Sequence, residues 1–466
     1  MGLDSLDRRP SWRPSVAPST LPLMDSDIER NEIPGDLQGC RAVVMGVGRF
    51  GGGVAAVRHL ADLGARVIAT DVADAETLRS SLTELEGIEV EYHLGGHRRE
   101  DFEQADLVIV NPAVPRPWSN PYLQAARDAG ARLLTEIRLA IGDRPAGHLI
   151  GITGTAGKST TAAMVHHALT AVRPDLDARL SGNIGGSLLD DPPPADASIV
   201  LELSSFMLHW LAGDGGRPED RATPGIAAIT NLAPNHLDWH ETLEHYEACK
   251  SAIAEPSPVC NGPRLLKPPD QVDGPPIPLS VPGAHNLGNA RFAVRIALEH
   301  VRLRDPASVD DDLAGAFRAS LSSFKGLPHR LESLGDTAGT RVFNDSKSTT
   351  PEATLLAVGA FEDPARIHLI AGGYDKGADL GPIAELASRL AGLHAIGQTG
   401  PVLAAAGAVP HEDLDSAVDA IFARARPGDV ILLSPGCASW DQFSNYEERG
   451  RAFGAAIDRH RRDREG

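Results

Sequence analysis

A glycine-rich segment with a single lysine is the part of the chain best suited to bind a phosphate group. It reads GITGTAGKSTT from Gly151 to Thr161, between an apolar run at 148–152 and a helix-like run at 160–171. Backbone N–H groups at a helix N-terminus point towards a bound anion. Lys158 would reach the β- and γ-phosphates of a nucleotide, and the Ser159 hydroxyl would hold Mg²⁺. The common pattern has a further glycine where Ile152 stands, so the segment predicts a variant loop of a narrower class.

Three further side chains follow in the same part of the chain. Glu202 ends an apolar run, and a carboxylate at a strand end beside a phosphate loop is well placed to bind Mg²⁺. His236 follows the run at 226–231, where ligands gather in open α/β sheets, although a solvated loop histidine is the alternative. Lys250 ends a helix-like segment, and its local sequence indicates only a surface lysine.

A second glycine pattern, GVGRFG, occupies residues 46–51 between a predicted strand and a predicted helix. Asp71 ends the next predicted strand. This spacing is typical of a dinucleotide site, in which the glycines approach the phosphates and the acid binds a ribose. The pattern alone is a weak signal, and a tight turn that binds another ligand, or none, is the alternative.

Three polar, glycine-bearing or charged loops near the C-terminus also follow predicted strands. They cover residues 344–349, 372–377 and 434–439. Each loop by itself could be a plain turn. Because loops at the carboxyl ends of parallel strands lie together, the three favour one shared binding face.

The order of predicted elements indicates an α/β protein with three consecutive domains. Short apolar runs alternate with helix-like segments, which is typical of parallel sheets with crossover helices. The predicted strands are 41–45, 65–69 and 107–110, then 149–153, 198–203 and 226–231, and finally 341–343, 367–371, 393–396 and 430–433. Residues 1–36 are rich in Pro, Ser, Arg and Asp without periodicity and predict a disordered tail.

Composition narrows the classes of partner. A net charge of −19 over 466 residues argues against nucleic acid or an anionic membrane as the main partner. The four cysteines include no C-x-x-C pair, so we expect a reducing cytoplasm rather than a disulfide or zinc framework. No run is apolar and long enough to span a bilayer, and the N-terminal residues lack the apolar core of a signal peptide.

Taken in order, these blocks resemble the Mur ligase family, and most closely its D-glutamate-adding branch. The resemblance runs from about residue 37 to 462 and rests on the variant phosphate loop, LELSSF at 201–206 and SPGCASWDQF at 434–443. GLPHR at 326–330 and NDSK at 344–347 are shared more widely in the family. The resemblance implies a Rossmann-like UDP-binding domain over 37–136, a central ATP-binding domain over 137–326 and a C-terminal Rossmann-like domain for the amino acid over 327–466.

The resemblance also implies a set of site residues. Those expected at ATP are Gly154, Thr155, Ala156, Gly157, Lys158, Ser159, Thr160, Asn286, Asn289, Arg330 and Asp345. Those expected at the UDP substrate are Gly48, Arg49, Phe50, Thr70, Asp71, Asn111, Asn183 and Ser204. Those expected at glutamate or phosphate are Lys347, Thr349, Lys376, Ser439, Trp440 and Tyr446.

By the same resemblance, Lys158, Glu202, His236 and Lys250 are the catalytic residues. Two Mg²⁺ ions are implied: Ser159 and Glu202 would hold one, and His236 and a carbamylated Lys250 would hold the other. The implied reaction joins D-glutamate to UDP-N-acetylmuramoyl-L-alanine through an acyl phosphate, with ATP, in cytoplasmic peptidoglycan precursor synthesis. We expect a monomer that binds neither nucleic acid nor membrane.

Some residues depart from the family pattern. Met207 stands where glutamine is usual, and Trp440 and Tyr446 replace the usual residues of the glutamate pocket, which leaves D- versus L-glutamate open. The short, proline-rich segment 251–284 predicts a reduced or absent accessory sheet. Three competing hypotheses stay open at this point: a folylpolyglutamate synthase-like ligase, a nicotinamide-dependent dehydrogenase that uses residues 46–51, and a non-catalytic phosphate-loop regulator.

Overall fold

The structure is a computed structural model of the chain. It describes residues 37–48, 51–212, 220–257, 260, 262–268, 275–310 and 312–465, with side chains up to residue 462. The disordered tail predicted for residues 1–36 lies outside the described residues. No described helix is long and apolar enough to cross a membrane.

The first sheet has five parallel strands in the order β3-β2-β1-β4-β5. Its strands are β1 Arg41–Met45, β2 Arg66–Asp71, β3 Val90–Leu94, β4 Leu107–Val110 and β5 Arg132–Leu134. Its helices are α1 Gly52–Asp62, α2 Arg79–Thr83, α3 Arg99–Glu103, α4 Pro121–Asp128 and α5 Glu136–Ile141. Successive residues of β1 are buried in two different apolar clusters, so both faces of the sheet are covered. The strand order reverses at β1, and ligands bind at such a switch point in open α/β sheets.

The second sheet is also parallel, with the order β10-β9-β6-β8-β7. Its strands are β6 Leu149–Thr153, β7 Arg179–Gly182, β8 Ile199–Glu202, β9 Ile226–Ile229 and β10 Arg264–Leu266. The helices of this part are α6 Lys158–Val172, α7 Ser205–Leu211, α8 Leu237–His240, α9 Leu243–Ser251, α10 Ala284–Arg304 and α11 Leu313–Ser320. The central strand β6 leads into the phosphate loop, and its neighbours β8 and β9 end beside that loop.

The third sheet has six strands in the order β11-β12-β16-β13-β14-β15, of which only β11 runs antiparallel to its neighbour. The strands are β11 Glu332–Thr337, β12 Thr340–Asn344, β13 Ile367–Gly372, β14 Gly392–Ile396, β15 Val409–Pro410 and β16 Val430–Leu433. The helices are α12 Pro351–Val358, α13 Gly381–Ala384, α14 Gly400–Ala405, α15 Leu414–Phe422 and α16 Tyr446–Glu465. The three polar loops of the sequence follow β12, β13 and β16, which are adjacent in this sheet.

The α/β class with three successive sheets is confirmed, and all ten predicted strands form. The six strands that the sequence did not predict are β3, β5, β7, β10, β11 and β15. Each of them is an edge strand of its sheet. An edge strand has one neighbour and is often short, so it lacks the continuous apolar run of an inner strand.

The domain boundaries stay a prediction, although each sheet falls inside its expected range. In the described part of residues 251–284, the only strand is β10, which joins the main central sheet. The described residues of this segment form no separate sheet, in line with the expected loss of the accessory sheet. A single bridge, between Ser257 and Cys260, is the other β pairing described there.

The start of α1 requires glycine at residue 53 and tolerates alanine at residue 52. A Cβ atom on Gly53 would lie 2.3 Å from the Val47 carbonyl oxygen, whereas a Cβ on Gly52 would meet nothing closer than 3.9 Å. We expect Gly53→Ala to destabilise the protein by about 1–3 kcal/mol through this overlap. Gly52→Ala, the matched control, should leave stability unchanged or raise it slightly, because alanine favours a helix. Thermal unfolding midpoints of the two variants would check this, and equal midpoints would contradict it.

Candidate functional site

The phosphate loop connects β6 to α6 and needs glycine at two points. Gly154 has φ +140° and Gly157 has φ +78°, both in the region that favours glycine. A Cβ on Gly154 would lie 2.0 Å from Thr230 Oγ1, and one on Gly157 would lie 2.7 Å from Asn289 Oδ1. The close approach at Gly157 places Asn289, predicted at ATP, directly against the loop. Lys158 begins α6, and its Nζ donates to the Thr155 carbonyl at 3.0 Å.

Asn231, after β9, holds the loop from the neighbouring strand. Its carbonyl oxygen accepts from Thr155 N at 2.9 Å, and its Oδ1 accepts from Ala156 N at 2.9 Å. Its Nδ2 donates to the Ala156 carbonyl at 3.0 Å, which Thr230 Oγ1 also reaches at 2.6 Å. Asn231 was not among the residues predicted from the sequence. The available signal was an amide residue at the end of the predicted strand 226–231.

Glu202 ends β8 with a side chain that is fully buried. Its Oε2 accepts from Ser159 Oγ at 3.1 Å and lies 3.5 Å from Asn183 Nδ2. Its Oε1 is buried without a hydrogen-bond partner among the described residues. A buried carboxylate oxygen left without a partner is costly. A carboxylate beside a hydroxyl is an oxygen donor set of the kind that Mg²⁺ takes, so these residues fit a divalent ion.

Lys250 is buried at the end of α9, with an exposed fraction of 2%, so the local indication of a surface lysine is wrong. Its Nζ donates to Thr153 Oγ1 at 3.3 Å and lies 5.0 Å from the centre of the Tyr246 ring. Burial, with the nearby charge of Lys158, lowers the pKa of Lys250 to about 7. Much of this amine is therefore uncharged at neutral pH, which is the form that reacts with CO₂.

His236 lies on the exposed rim of the same site. Its backbone has φ +52°, and its ring meets the Phe206 ring edge-on at 5.0 Å. Partial burial lowers its pKa, Asp238 opposes that change, and the charges of Lys158 and Lys250 add to it. The two lysines therefore lie close enough to His236 to act on its titration, as a shared site requires.

A pocket of about 270 Å³ opens between the first and second sheets. Gly48, Asn111, Asn183 and Ser204, four of the residues predicted at the UDP group, are in its lining. The remaining lining residues are Val44, Gly46, Val47, Gly52, Gly53, Ile109, Val110, Pro112, Ala113, Glu136, Ile137, Gly182, Phe206 and Met207. Glu136 was not predicted, because a carboxylate after a three-residue strand carries no motif.

Thr70 and Asp71 do not line this pocket but support its glycine loop. Asp71 Oδ2 accepts from Gly48 N at 3.0 Å, and its Oδ1 accepts from Ala73 N at 2.9 Å. Thr70 is fully buried, with its Oγ1 at 2.8 Å from His97 Nδ1. Their direct contact with a UDP group stays a prediction. Arg49 and Phe50 lie outside the described residues.

Two basic residues beside strands of the third sheet lie close enough to the phosphate loop and its neighbours for charges to act between them. Burial lowers the pKa of Lys158, and the positive charge of the exposed Arg330 lowers it further. The charge of Glu202 acts in the opposite direction. Burial and the charge of Arg330 lower the pKa of Lys347, and Glu202 is among the groups that oppose this. Lys347 Nζ also donates to Tyr446 Oη at 3.0 Å. The structure therefore brings charges of the second and third sheets to one site.

The other residues predicted at glutamate divide into rim and interior positions. Lys376 Nζ lies 4.1 Å from the centre of the Trp440 ring, which is 60% exposed. Thr349 and Lys376 line a small pocket with residues 436–438. Ser439 is buried, and its carbonyl oxygen accepts from Phe443 N at 2.8 Å.

Two residues predicted at ATP have their polar atoms engaged within the protein. Asp345 is buried, and its carboxylate accepts from Ser348 Oγ at 2.6 Å, from Ser434 Oγ at 2.8 Å and from a backbone N–H at 3.0 Å. Asn286 Nδ2 donates to the Pro282 carbonyl at 2.6 Å. Both side chains therefore stabilise the loops behind the site, and their contact with ATP stays a prediction, as does that of the half-buried Thr160.

The amino-acid sequence matches known protein families and known enzymes along most of its length. Residues 40–135 match the Mur ligase MurD-like N-terminal domain, residues 152–262 the Mur ligase middle domain, and residues 329–437 the Mur ligase glutamate ligase domain. The chain is 35% identical to the UDP-N-acetylmuramoylalanine–D-glutamate ligase of Roseiflexus sp., over 90% of this chain and 98% of the relative. The enzyme of the same name from Anaeromyxobacter dehalogenans is 35% identical, over 90% of this chain and 97% of the relative. The one from Clostridioides difficile is 30% identical, over 90% of this chain and 98% of the relative.

The clamp from Asn231 gives a testable expectation for nucleotide binding. Asn231→Ala removes two side-chain hydrogen bonds to Ala156, each worth about 1 kcal/mol, so the Kd of ATP should rise about tenfold or more. Equilibrium titration with a fluorescent ATP analogue would measure this. Binding of a UDP-linked substrate, which the sequence predicts in the other pocket, is the internal control and should not change. An unaltered Kd for ATP would show that the loop keeps its shape without the clamp.

Proposed function

This chain belongs to the Mur ligase family, and we propose that it catalyses the ATP-dependent addition of D-glutamate to UDP-N-acetylmuramoyl-L-alanine. Domain matches along the chain and identities of 30–35% to D-glutamate ligases over nearly their whole length support this activity. We place the reaction in the cytoplasm, in peptidoglycan precursor synthesis, and expect a monomer.

One continuous line of contacts carries the proposal. Asn183 lines the pocket of the first two sheets and lies 3.5 Å from Glu202, which accepts a hydrogen bond from Ser159 of the phosphate loop. A substrate held in the pocket would thus present its free end beside the γ-phosphate of ATP in the loop. Placing the two reactants side by side is the main contribution that such a site can make to the rate.

In the first step, we propose that the alanine carboxylate attacks the γ-phosphorus of ATP, giving an acyl phosphate and ADP. Two anions meet here, so the residues must neutralise charge. Lys158 begins α6 and can reach the phosphates, while the helix N-terminus directs backbone N–H groups to the same place. Arg330 adds positive charge from the third sheet.

We propose that Ser159 and Glu202 hold one Mg²⁺ ion and that His236 and carbamylated Lys250 hold a second. Two observations support this assignment: Glu202 Oε1 has no hydrogen-bond partner among the described residues, and the amine of Lys250 is partly neutral near pH 7. Carbamylation joins the neutral amine to CO₂ and releases one proton. The product is a carbamate, whose anionic oxygens can bind a metal ion. When bound, Mg²⁺ offsets the negative charge of the phosphates.

In the second step, we propose that the neutral amine of glutamate attacks the acyl carbon. The bond from that carbon to the phosphate oxygen breaks, and the proton lost by the nitrogen leaves with the phosphate. Glutamate carries two carboxylates, for which Lys347 and Lys376 are the counter-charges. Lys347 is held by Tyr446, and Lys376 lies over the Trp440 ring. Because these residues come from the third sheet, closure of that part over the other two would complete the site.

The substrate assay is the direct test of the proposal. Phosphate release should require ATP, UDP-N-acetylmuramoyl-L-alanine and D-glutamate together, and L-glutamate in place of D-glutamate should give little product. Chromatography would identify the amide product. Phosphate release with L-glutamate but not with D-glutamate would replace this proposal with an L-glutamate ligase. Phosphate release with a folate substrate in place of the UDP compound would replace it with a folylpolyglutamate synthase-like ligase.

The carbamate on Lys250 predicts a specific rescue. Lys250→Ala should lower kcat by more than about a hundredfold, because it removes a metal ligand. Removing a residue that only orients a metal ligand typically costs about ten- to a hundredfold. Added short carboxylates should restore part of the activity by occupying the vacated space. The exposed Lys325→Ala is the matched control and should retain activity.

The pH dependence of the same group follows from its lowered pKa. The amine is protonated below about pH 7 and reacts with CO₂ only when neutral. At a fixed dissolved CO₂ concentration, carbamylation of the ATP-free enzyme should therefore rise as pH increases through 7, which ¹³C NMR with labelled CO₂ would measure. A Lys250→Ala variant with near-normal activity, or a wild type without the carbamate signal, would end the carbamate proposal.

A further inference from the structure

A cluster of two histidines and one cysteine lies outside the residues assigned to the ligase reaction. His209 is on α7, and His245 and Cys249 are four residues apart on α9, which places them on one face of that helix. One donor atom from each residue lies within 4.8 Å of the others. Cys249 Sγ and His245 Nε2 are 3.4 Å apart.

His209 is the unusual member of this cluster. Its side chain is buried, with an exposed fraction of 4%, and neither ring nitrogen has a hydrogen-bond partner among the described residues. Leaving a buried polar group unpaired is costly, so a native structure that does so suggests an unseen ligand.

We propose that His209, His245 and Cys249 form a binding site for a divalent metal ion of the zinc class. Zinc binds nitrogen at about 2.0–2.1 Å and sulfur at about 2.3 Å in tetrahedral geometry, which sets the ligand nitrogen and sulfur about 3.5 Å apart. The separation of 3.4 Å between Nε2 and Sγ matches this value. Three protein ligands leave the fourth position to water.

The orientation of His245 supports the same assignment. Its Nδ1 lies 3.1 Å from the His240 carbonyl oxygen, which leaves Nε2 directed at Cys249. Histidines that bind metals commonly donate their second ring N–H to a backbone carbonyl in this way. His245 is only half-buried, so an ion can enter from its side of the cluster.

The donor set separates this site from the one at Glu202. Nitrogen and thiolate ligands select Zn²⁺ and similar ions, whereas Mg²⁺ takes oxygen ligands. Binding releases the thiol proton of Cys249 to solvent, because the thiolate is the ligand. An ion here would join α7, which follows the pocket residue Ser204, to α9, which carries Lys250.

The test uses the full chain, stripped of metal with a chelator and held in excess Mg²⁺ to fill the oxygen sites. Titration with Co²⁺ should give one ion per chain and a thiolate-to-cobalt charge-transfer band in the near ultraviolet, and Zn²⁺ should abolish the band. The expected loss of Zn²⁺ affinity in Cys249→Ser and in His209→Phe is more than about a hundredfold. The half-buried Cys40→Ser is the matched control and should bind as the wild type does.

Two variants on different helices keep the test decisive if one fails to fold, and circular dichroism would check each. A charge-transfer band that persists in Cys249→Ser would place the ion at another thiol and overturn the proposal. Equal Zn²⁺ affinity in the wild type and His209→Phe would also overturn it, as would binding that excess Mg²⁺ abolishes. None of these outcomes depends on ligase activity.

Discussion

The site is organised around a buried carboxylate that the protein leaves half unsatisfied. Glu202 Oε2 is held by Ser159 of the phosphate loop, whereas Oε1 has no described partner. A buried carboxylate oxygen without a partner is costly, and the proposed ion would remove that cost. The position is fixed by the fold, because β8 is the neighbour of β6 and both strands end at the same edge of the sheet. The loop, the pocket residue Asn183 and the proposed ion all depend on that adjacency.

Positive charge is concentrated around this carboxylate in a protein whose net charge is −19. Lys158 and Lys250 come from the part of the chain with the second sheet, and Arg330 and Lys347 from the part with the third. The charge of Arg330 acts on the titration of Lys158 and Lys347, and the charge of Lys158 acts on that of Lys250. Like charges held this close repel one another, which lowers the pKa values of the lysines along with burial. Bound phosphates would relieve that repulsion, so nucleotide binding would favour the proposed closure of the third part of the chain over the second.

The inner framework of the fold could be predicted from the sequence, and the sheet edges could not. Inner strands such as β6 are buried on both faces and appear as continuous apolar runs, whereas β7 reads RLSG and β10 only RLL. A pattern of apolar residues cannot identify a strand that has little apolar character. Only the pairing with a neighbouring strand defines these edges, and that pairing is a tertiary contact.

The site residues also differ in whether the local sequence or only a tertiary contact identifies them. The phosphate loop and Glu202 were predictable because each has its motif or strand end within a few residues. Lys250 and His209 carry no such signal: their functional character comes from burial and from the groups that other helices bring against them. A family pattern identified Lys250 but gave no physical reason for it, and the reason is the low-dielectric position that makes its amine partly neutral. His209 lies outside that pattern, and what reveals it is that neither ring nitrogen has a partner among the described residues while Cys249 and His245 lie beside it.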